Sequence, residues 1–273
     1  MAGNRRLSET VLRALLIVYA LPPFVFLVLF SEWTLLFLFL ILSVLGFQEY
    51  LKLVIITERG IRSPWFYPIP IALVYVPLTV FGNGLPLALW WYILFLWIVL
   101  WGLLRPDLVR ERIAWFAFGI LYCVFLPSFW VKAGLEASRI EIVAYALIIW
   151  SGDIGAYLVG SRWGKCRFVP AISPRKSLEG LLGGTLAAGI AGMLFTLFLI
   201  PGRSLWEGLG IGILLCMVAF LGDLLESSLK RKAGVKDSGR LFPGHGGVLD
   251  RFDAFFLAGP AIYFLAVYWG GRP

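Results

Sequence analysis

The stretch Ser227 to Asp253, SSLKRKAGVKDSGRLFPGHGGVLDRFD, gathers the side chains that phosphate chemistry needs. It holds the cations Lys230, Arg231, Lys232, Lys236, Arg240 and Arg251, the carboxylates Asp237, Asp250 and Asp253, the single histidine His245, and the flexible run Pro243-Gly244-His245-Gly246-Gly247. A glycine-rich turn exposes backbone N–H groups, Lys and Arg supply positive charge, and carboxylates hold the hard cation that polyphosphates carry. Basic residues alone would fit a solvated loop beside a membrane. The aspartates among them favour a site for anions and cations together. His245 fits a general base, a ligand or a hydrogen-bonding element of the loop, and as a lone histidine it cannot build a histidine-rich zinc site. Gly246 and Gly247 suit backbone contact with phosphate oxygens.

Three more acids, Asp153, Asp223 and Glu226, lie in stretches apolar enough to cross a bilayer, where an ionisable side chain costs a few kcal/mol or more and marks a functional candidate. Asp223 and Glu226 are three apart, as are Asp250 and Asp253, so each pair projects from one face of its helix. Two such pairs approaching each other repel unless protonated or bridged by cations, and Mg²⁺ fits an all-oxygen ligand set. The alternative is N-capping by Asp250 or Asp253, with salt bridges to Arg251 or Lys230. A second polar segment adds Ser161-Arg162-Trp163-Gly164-Lys165 and then Ser173-Pro174-Arg175-Lys176-Ser177 leading into a helix, which suits an anion at a helix start. Gly160 to Lys165 imitates a Walker loop, but it is one residue short, lacks Ser or Thr after the lysine and follows a span instead of a strand, so that reading is rejected.

These residues need elements to position them, and composition says what kind. Of 273 residues, 60% are hydrophobic, and the mean hydropathy is +0.87, far above a soluble domain. The expected fold is all-α, a polytopic integral membrane protein. A hydrocarbon core about 30 Å thick takes roughly 20 apolar residues per helix, and nine stretches qualify: 11–30, 32–51, 66–83, 85–104, 113–131, 140–160, 177–200, 206–229 and 253–271. With the N-terminus cytoplasmic, only Lys132, Arg139, Arg203 and Arg272 of the 24 Lys and Arg fall on the opposite side, as the positive-inside rule requires. The net charge of +8 therefore reads as orientation and affinity for anionic lipid, and nucleic acid is a poor partner. Cys123, Cys166 and Cys216 lack the spacing of a disulfide framework or a zinc site. The apolar run after Arg5 and Arg6 is too long for a signal-peptide core and is expected to stay as a helix.

The chain reads as one continuous membrane domain with two unlike halves. Residues 1–139 are scaffold, with 32–51 and 85–104 expected to be apolar throughout and free of interior charge. Residues 140–273 carry the polar groups, with the loops 160–177 and 229–253 meeting on the cytoplasmic face. Glycines along 177–200 and 206–229 allow those two helices to pack closely.

Ser227-x-x-Lys230-Arg231, Lys236-Asp237 and Phe242-Pro243-x-His245-Gly246-Gly247-x-x-Asp250-Arg251-x-Asp253 together resemble the motif of CDP-diacylglycerol synthases, the phosphatidate cytidylyltransferases of bacterial type. The resemblance extends to Asp153-x-x-Ala156-Tyr157-x-x-Gly160, to Ser173-Pro174-x-Lys176-Ser177-x-Glu179-Gly180, and to Gly222-Asp223-x-x-Glu226-Ser227, about half the chain. Ser177 stands where many members are expected to have Thr; the hydroxyl is kept.

The resemblance implies CTP plus phosphatidate giving CDP-diacylglycerol and pyrophosphate with Mg²⁺, a homodimer, and a place in the bacterial inner membrane with the site facing the cytoplasm. On that basis Asp223, Asp250 and Asp253 are the expected metal ligands, with room for a second cation of unspecified identity and with Asp153 and Glu226 as supporting carboxylates. Lys176, Lys230, Arg231, Lys236, Arg240 and Arg251 are expected to neutralise phosphate, and Ser173, Ser177 and Ser227 to donate to it. Asp237 either steadies the basic loop or touches the nucleotide. The competing class is an ion-coupled secondary transporter, which also uses intramembrane carboxylates on glycine-rich helices. Such a protein should expose polar groups toward both faces, whereas here nearly all lie on one.

Overall fold

The computed structural model describes residues 21–57, 68–81, 110–200, 202–241 and 246–269, and among them every regular element is helical. In order these are α1 (Leu21–Phe30), α2 (Glu32–Thr57), α3 (Pro68–Phe81), α4 (Arg110–Ile120), a π turn (Leu121–Phe125) that runs straight into α5 (Leu126–Glu136), α6 (Arg139–Trp163), α7 (Leu178–Leu199), α8 (Leu205–Lys232) and α9 (Leu249–Tyr263), which ends in a π segment, Phe264–Trp269. Among the described residues, six segments are long and apolar enough to cross a membrane: Glu32–Val54, Ala114–Glu136, Arg139–Trp163, Leu178–Leu199, Leu205–Lys232 and Leu249–Trp269. The chain is an all-α polytopic membrane protein. Of the other expected spans, 66–83 contains the 14-residue α3, 11–30 is described only from Leu21, and 85–104 lies outside the described residues.

Lipid as solvent is legible in the outward face of α7. Leu182, Leu186, Ile190, Leu194 and Leu197 recur at helical spacing and are all exposed, the reverse of a helix on a water-soluble protein. Its inward faces are built from small residues. A Cβ at Gly184 would lie 2.8 Å from the carbonyl oxygen of Gly152 on α6, and one at Gly192 would run into the carbonyl of Gly208 on α8. Only glycine permits these approaches, so the expected close pairing of the two glycine-rich helices holds and extends to α6.

The first half packs on this trio through aromatic rings. Phe39 of α2 stacks on Trp130 of α5 at 5.3 Å, and Trp130 stacks on Phe255 of α9 at 5.0 Å while its indole Nε1 donates to the Phe255 carbonyl at 2.8 Å. A buried indole must find an acceptor for its N–H, so this bond fixes α5 against the helix that carries Asp250 and Asp253. The last helix begins at Leu249, four residues earlier than expected, which brings both aspartates inside it.

Candidate active site

The end of α8 reads GDLLESSLK, and 3.6 residues per turn bring Asp223, Glu226, Ser227 and Lys230 to one face. That face meets the first turns of α9 across Gly222, where a Cβ would come 2.7 Å from the Asp253 carbonyl oxygen and 3.1 Å from the Ala254 Cα. The close approach lets carboxylate oxygens of Asp223, Glu226 and Asp253 lie within 4.8 Å of one another. Glu226 is buried; its Oε2 takes Lys230 Nζ at 2.5 Å, and its Oε1 has no hydrogen-bond partner. A buried carboxylate oxygen without a donor, beside two further acids, is costly unless a cation or a proton joins it.

Cations surround the cluster. Lys176, just before α7, places Nζ 2.9 Å from Asp223 Oδ2 and 4.4 Å from the centre of the Phe220 ring. Ser227 Oγ donates to Asp223 Oδ1 at 3.1 Å. Asp153, midway along α6, is exposed and lies within electrostatic reach of Asp223 and Lys176.

Asp250, an expected metal ligand, has both carboxylate oxygens engaged by donors of the chain. Its Oδ1 accepts from Lys230 Nζ at 2.7 Å, and its Oδ2 accepts from Gly247 N at 2.7 Å, Ser238 N at 2.8 Å and Ser238 Oγ at 2.9 Å. The salt bridge to Lys230 is part of the alternative that the sequence left open for this residue, while the N-cap of α9 is Val248 and Asp250 accepts from backbone that precedes the helix. Although Asp250 and Asp253 share a helix face, the first organises the loop and the second joins the acid cluster. Lys230 bridges the two arrangements through Glu226 and Asp250.

Other expected phosphate ligands are partly engaged. Arg231 donates from Nε to the Ile172 carbonyl at 3.2 Å and from Nη1 to the Val235 carbonyl at 3.0 Å, tying the two polar loops together. Ser177 is buried and caps α7, accepting from Gly180 N at 3.1 Å, while the Ser173 carbonyl accepts from Lys176 N in the preceding turn. Lys236, Asp237 and Arg240 are exposed around an open hollow, and Arg251 is exposed. Gly246 adopts φ +86°, where a Cβ would both be strained and strike Asp250. Gly247 gives its N–H to Asp250. His245 lies outside the described residues.

One acid escaped the sequence reading, Glu49, and another, Glu179, entered it only as part of the resemblance. Glu179 accepts from Lys165 N and Cys166 N, both at 3.1 Å, and so shapes the loop before α7. Glu49, on the helix expected to be free of interior charge, is 6% exposed and accepts from Val248 N and Leu249 N, both at 3.0 Å. A lone acid in an apolar run was the signal, the same one that marked Asp153.

A glycine-packed helix bundle thus holds a crowded set of carboxylates flanked by lysines and turn glycines, groups suited to anions and cations together. Comparison with known proteins narrows this. The sequence model of the cytidylyltransferase family matches residues 11–269, and the chain belongs to that family. Among curated relatives, phosphatidate cytidylyltransferase of Staphylococcus aureus (strain COL) is 43% identical over 133 residues, 48% of this chain and 51% of that protein. The protein of the same name from Staphylococcus saprophyticus is 46% identical over 121 residues, 44% of this chain and 46% of that one. The chain thus spans about half the length of the curated relatives it matches.

Proposed function

We propose that this protein is a phosphatidate cytidylyltransferase, joining CTP and phosphatidate to give CDP-diacylglycerol and pyrophosphate. The observation that carries the reading is the acid cluster of Asp223, Glu226 and Asp253 with its unpartnered buried oxygen, set between Lys176 and Lys230. An excess of hard oxygen donors with one acceptor unused fits a divalent cation, and we infer Asp223, Glu226 and Asp253 as its ligands in place of a set that includes Asp250. When bound, Mg²⁺ would supply Lewis-acid charge neutralisation on the phosphate oxygens.

The chain's own residues then have separable tasks. In the reaction a phosphatidate oxygen forms a bond to the α-phosphorus of CTP while the bond from that phosphorus to the bridging oxygen breaks, and pyrophosphate leaves. The lipid phosphate is already anionic, so no strong base is needed, and positioning and electrostatics dominate. Lys176 and Lys230 hold positive charge beside the reacting phosphates, and Lys236 and Arg240 draw the triphosphate to the open loop. Arg231 keeps that loop registered against residues 164–177. Asp250 fixes the turn at Gly246 and Gly247, and Ser227 steadies Asp223.

We further infer nine spans with a cytoplasmic N-terminus in a bacterial inner membrane, supported by the segregation of Lys and Arg. A homodimer follows from the family resemblance. The decisive assay is release of pyrophosphate and formation of CDP-diacylglycerol by purified protein given CTP, phosphatidate and Mg²⁺. Ion-driven solute uptake by reconstituted protein, with no pyrophosphate formed, would revive the transporter reading.

A further inference from the structure

We propose that Glu49 is a positioning residue for this reaction: carried in by α2, its carboxylate sets both the start of α9 and the loop over which the triphosphate would lie. The proposal rests on the cytidylyltransferase reading for its kinetic consequence, but its structural grounds are independent. The first N–H groups of any helix lack an intrahelical acceptor. At α9 no side chain at the N-cap supplies one. The acceptor comes instead from Glu49, whose Oε1 takes Val248 N and whose Oε2 takes Leu249 N. A carboxylate there also complements the positive end of the helix dipole.

The same carboxylate reaches the loop. Ser238 Oγ lies 2.9 Å from Glu49 Oε2 and also 2.9 Å from Asp250 Oδ2. A continuous polar chain therefore runs from Glu49 through Ser238, Asp250 and Lys230 to Glu226 and the acid cluster. The loop backbone rests directly on the carboxylate: a Cβ at Gly239 would lie 2.7 Å from Glu49 Cδ, and one at Gly247 would strike both of its oxygens. Glu49 itself is held in place, since Tyr50 OH donates to the Trp115 carbonyl at 2.7 Å and Gly46 fits against the Phe256 ring. An apolar residue would serve packing at this spot at lower desolvation cost, so the charge answers to the loop and the helix start.

The test is Glu49→Gln in the full chain, purified in lipid nanodiscs. Glutamine keeps the shape but offers one acceptor oxygen, so it cannot serve Val248, Leu249 and Ser238 together. Amide exchange across 235–250 should quicken by about tenfold or more, with that across 178–199 within about twofold of the parent. KM for CTP should rise by about fivefold or more, and KM for phosphatidate should stay within about twofold. Parental exchange in 235–250 or a parental KM for CTP overturns the proposal. So does exchange quickened along the whole chain with both KM values parental, which marks mere loss of folded protein. If Glu49→Gln does not fold, Ser238→Ala cuts the same chain of bonds. The same pattern at about twofold or more supports the proposal, and parental values in both measurements overturn it. A parent protein that makes no pyrophosphate sinks the cytidylyltransferase reading instead, and the exchange measurement alone then judges Glu49.

Discussion

Two polar clusters sit at opposite ends of the same helices, and they differ in charge balance. At the end formed by α5, the start of α6, the start of α8 and the π segment after α9, Glu136 and Glu141 each meet a base, and the unpartnered nitrogen atoms there, Nη1 of Arg139 and of Arg203, belong to cations. Lys132, 3% exposed, pairs with Glu136, which also accepts from Tyr263 OH at 2.8 Å. Arg203 lies 3.7 Å from Glu141 and donates to the Leu265 carbonyl at 2.6 Å, while Tyr145 OH donates to Glu141 at 3.3 Å. At the other end Asp223, Glu226 and Asp250 take Lys176 and Lys230, Asp153 and Asp253 add further acid, and Glu226 keeps an oxygen unpartnered. Burial alone therefore does not distinguish function from structure in this molecule. The excess of acid does.

If that distinction holds, removing charge should have opposite consequences at the two ends. Asp223→Asn or Asp253→Asn should lower turnover by about a hundredfold or more. Because each substitution relieves repulsion, thermal unfolding without divalent ions should occur at the same or a higher temperature than in the parent. Near-parental turnover at saturating Mg²⁺ would remove that residue from the site. At the balanced end, Glu136→Leu removes the ion pair of the buried Lys132 ammonium and should cost about 3 kcal/mol of stability, with kcat per folded molecule unchanged. Equal stability there, measured by unfolding in mixed micelles, would erase the contrast.

The comparison sharpens within the acid-rich end. Glu226→Gln should raise the Mg²⁺ concentration for half-maximal activity by about tenfold or more, whereas Asp250→Asn should shift it by less than about threefold and raise KM for CTP instead. Titrations of activity against Mg²⁺ decide between them, and a larger Mg²⁺ shift for Asp250→Asn would restore Asp250 to the ligand set. The smallest effect belongs to Ser204→Ala. It removes the 3.2 Å bond from Glu207 N to Ser204 Oγ at the start of α8, leaves the 2.6 Å bond from Ser204 N to the Glu207 carboxylate, and should cost about 1 kcal/mol without touching activity.

Much of this was legible in the sequence because helical spacing dictates which residues share a face. Asp223 with Glu226, the glycine pairing of α7 and α8, and the placement of Lys132 and Arg203 away from Lys176 and Lys230 all follow from period and charge. Spacing does not fix how one helix is rotated against another, so it could not say that Asp253 would turn to Glu226 while Asp250 turned to Lys230 and Ser238. Nor could it pair Glu49 with Val248 and Leu249, some 200 residues away in the chain. Arg231 and Ser177 showed the right chemistry for phosphate, but a side chain can serve a carbonyl or a helix start equally well, and both do so here.

The central claim is that the acid excess at one end is a divalent-cation site, and binding of Mn²⁺ in place of Mg²⁺, followed by electron paramagnetic resonance on the purified protein, tests it without assuming any reaction. The account predicts a bound Mn²⁺ signal in the parent and in Glu136→Leu, and its loss in Asp223→Asn, Glu226→Gln and Asp253→Asn. Undiminished Mn²⁺ binding in those three variants would contradict it.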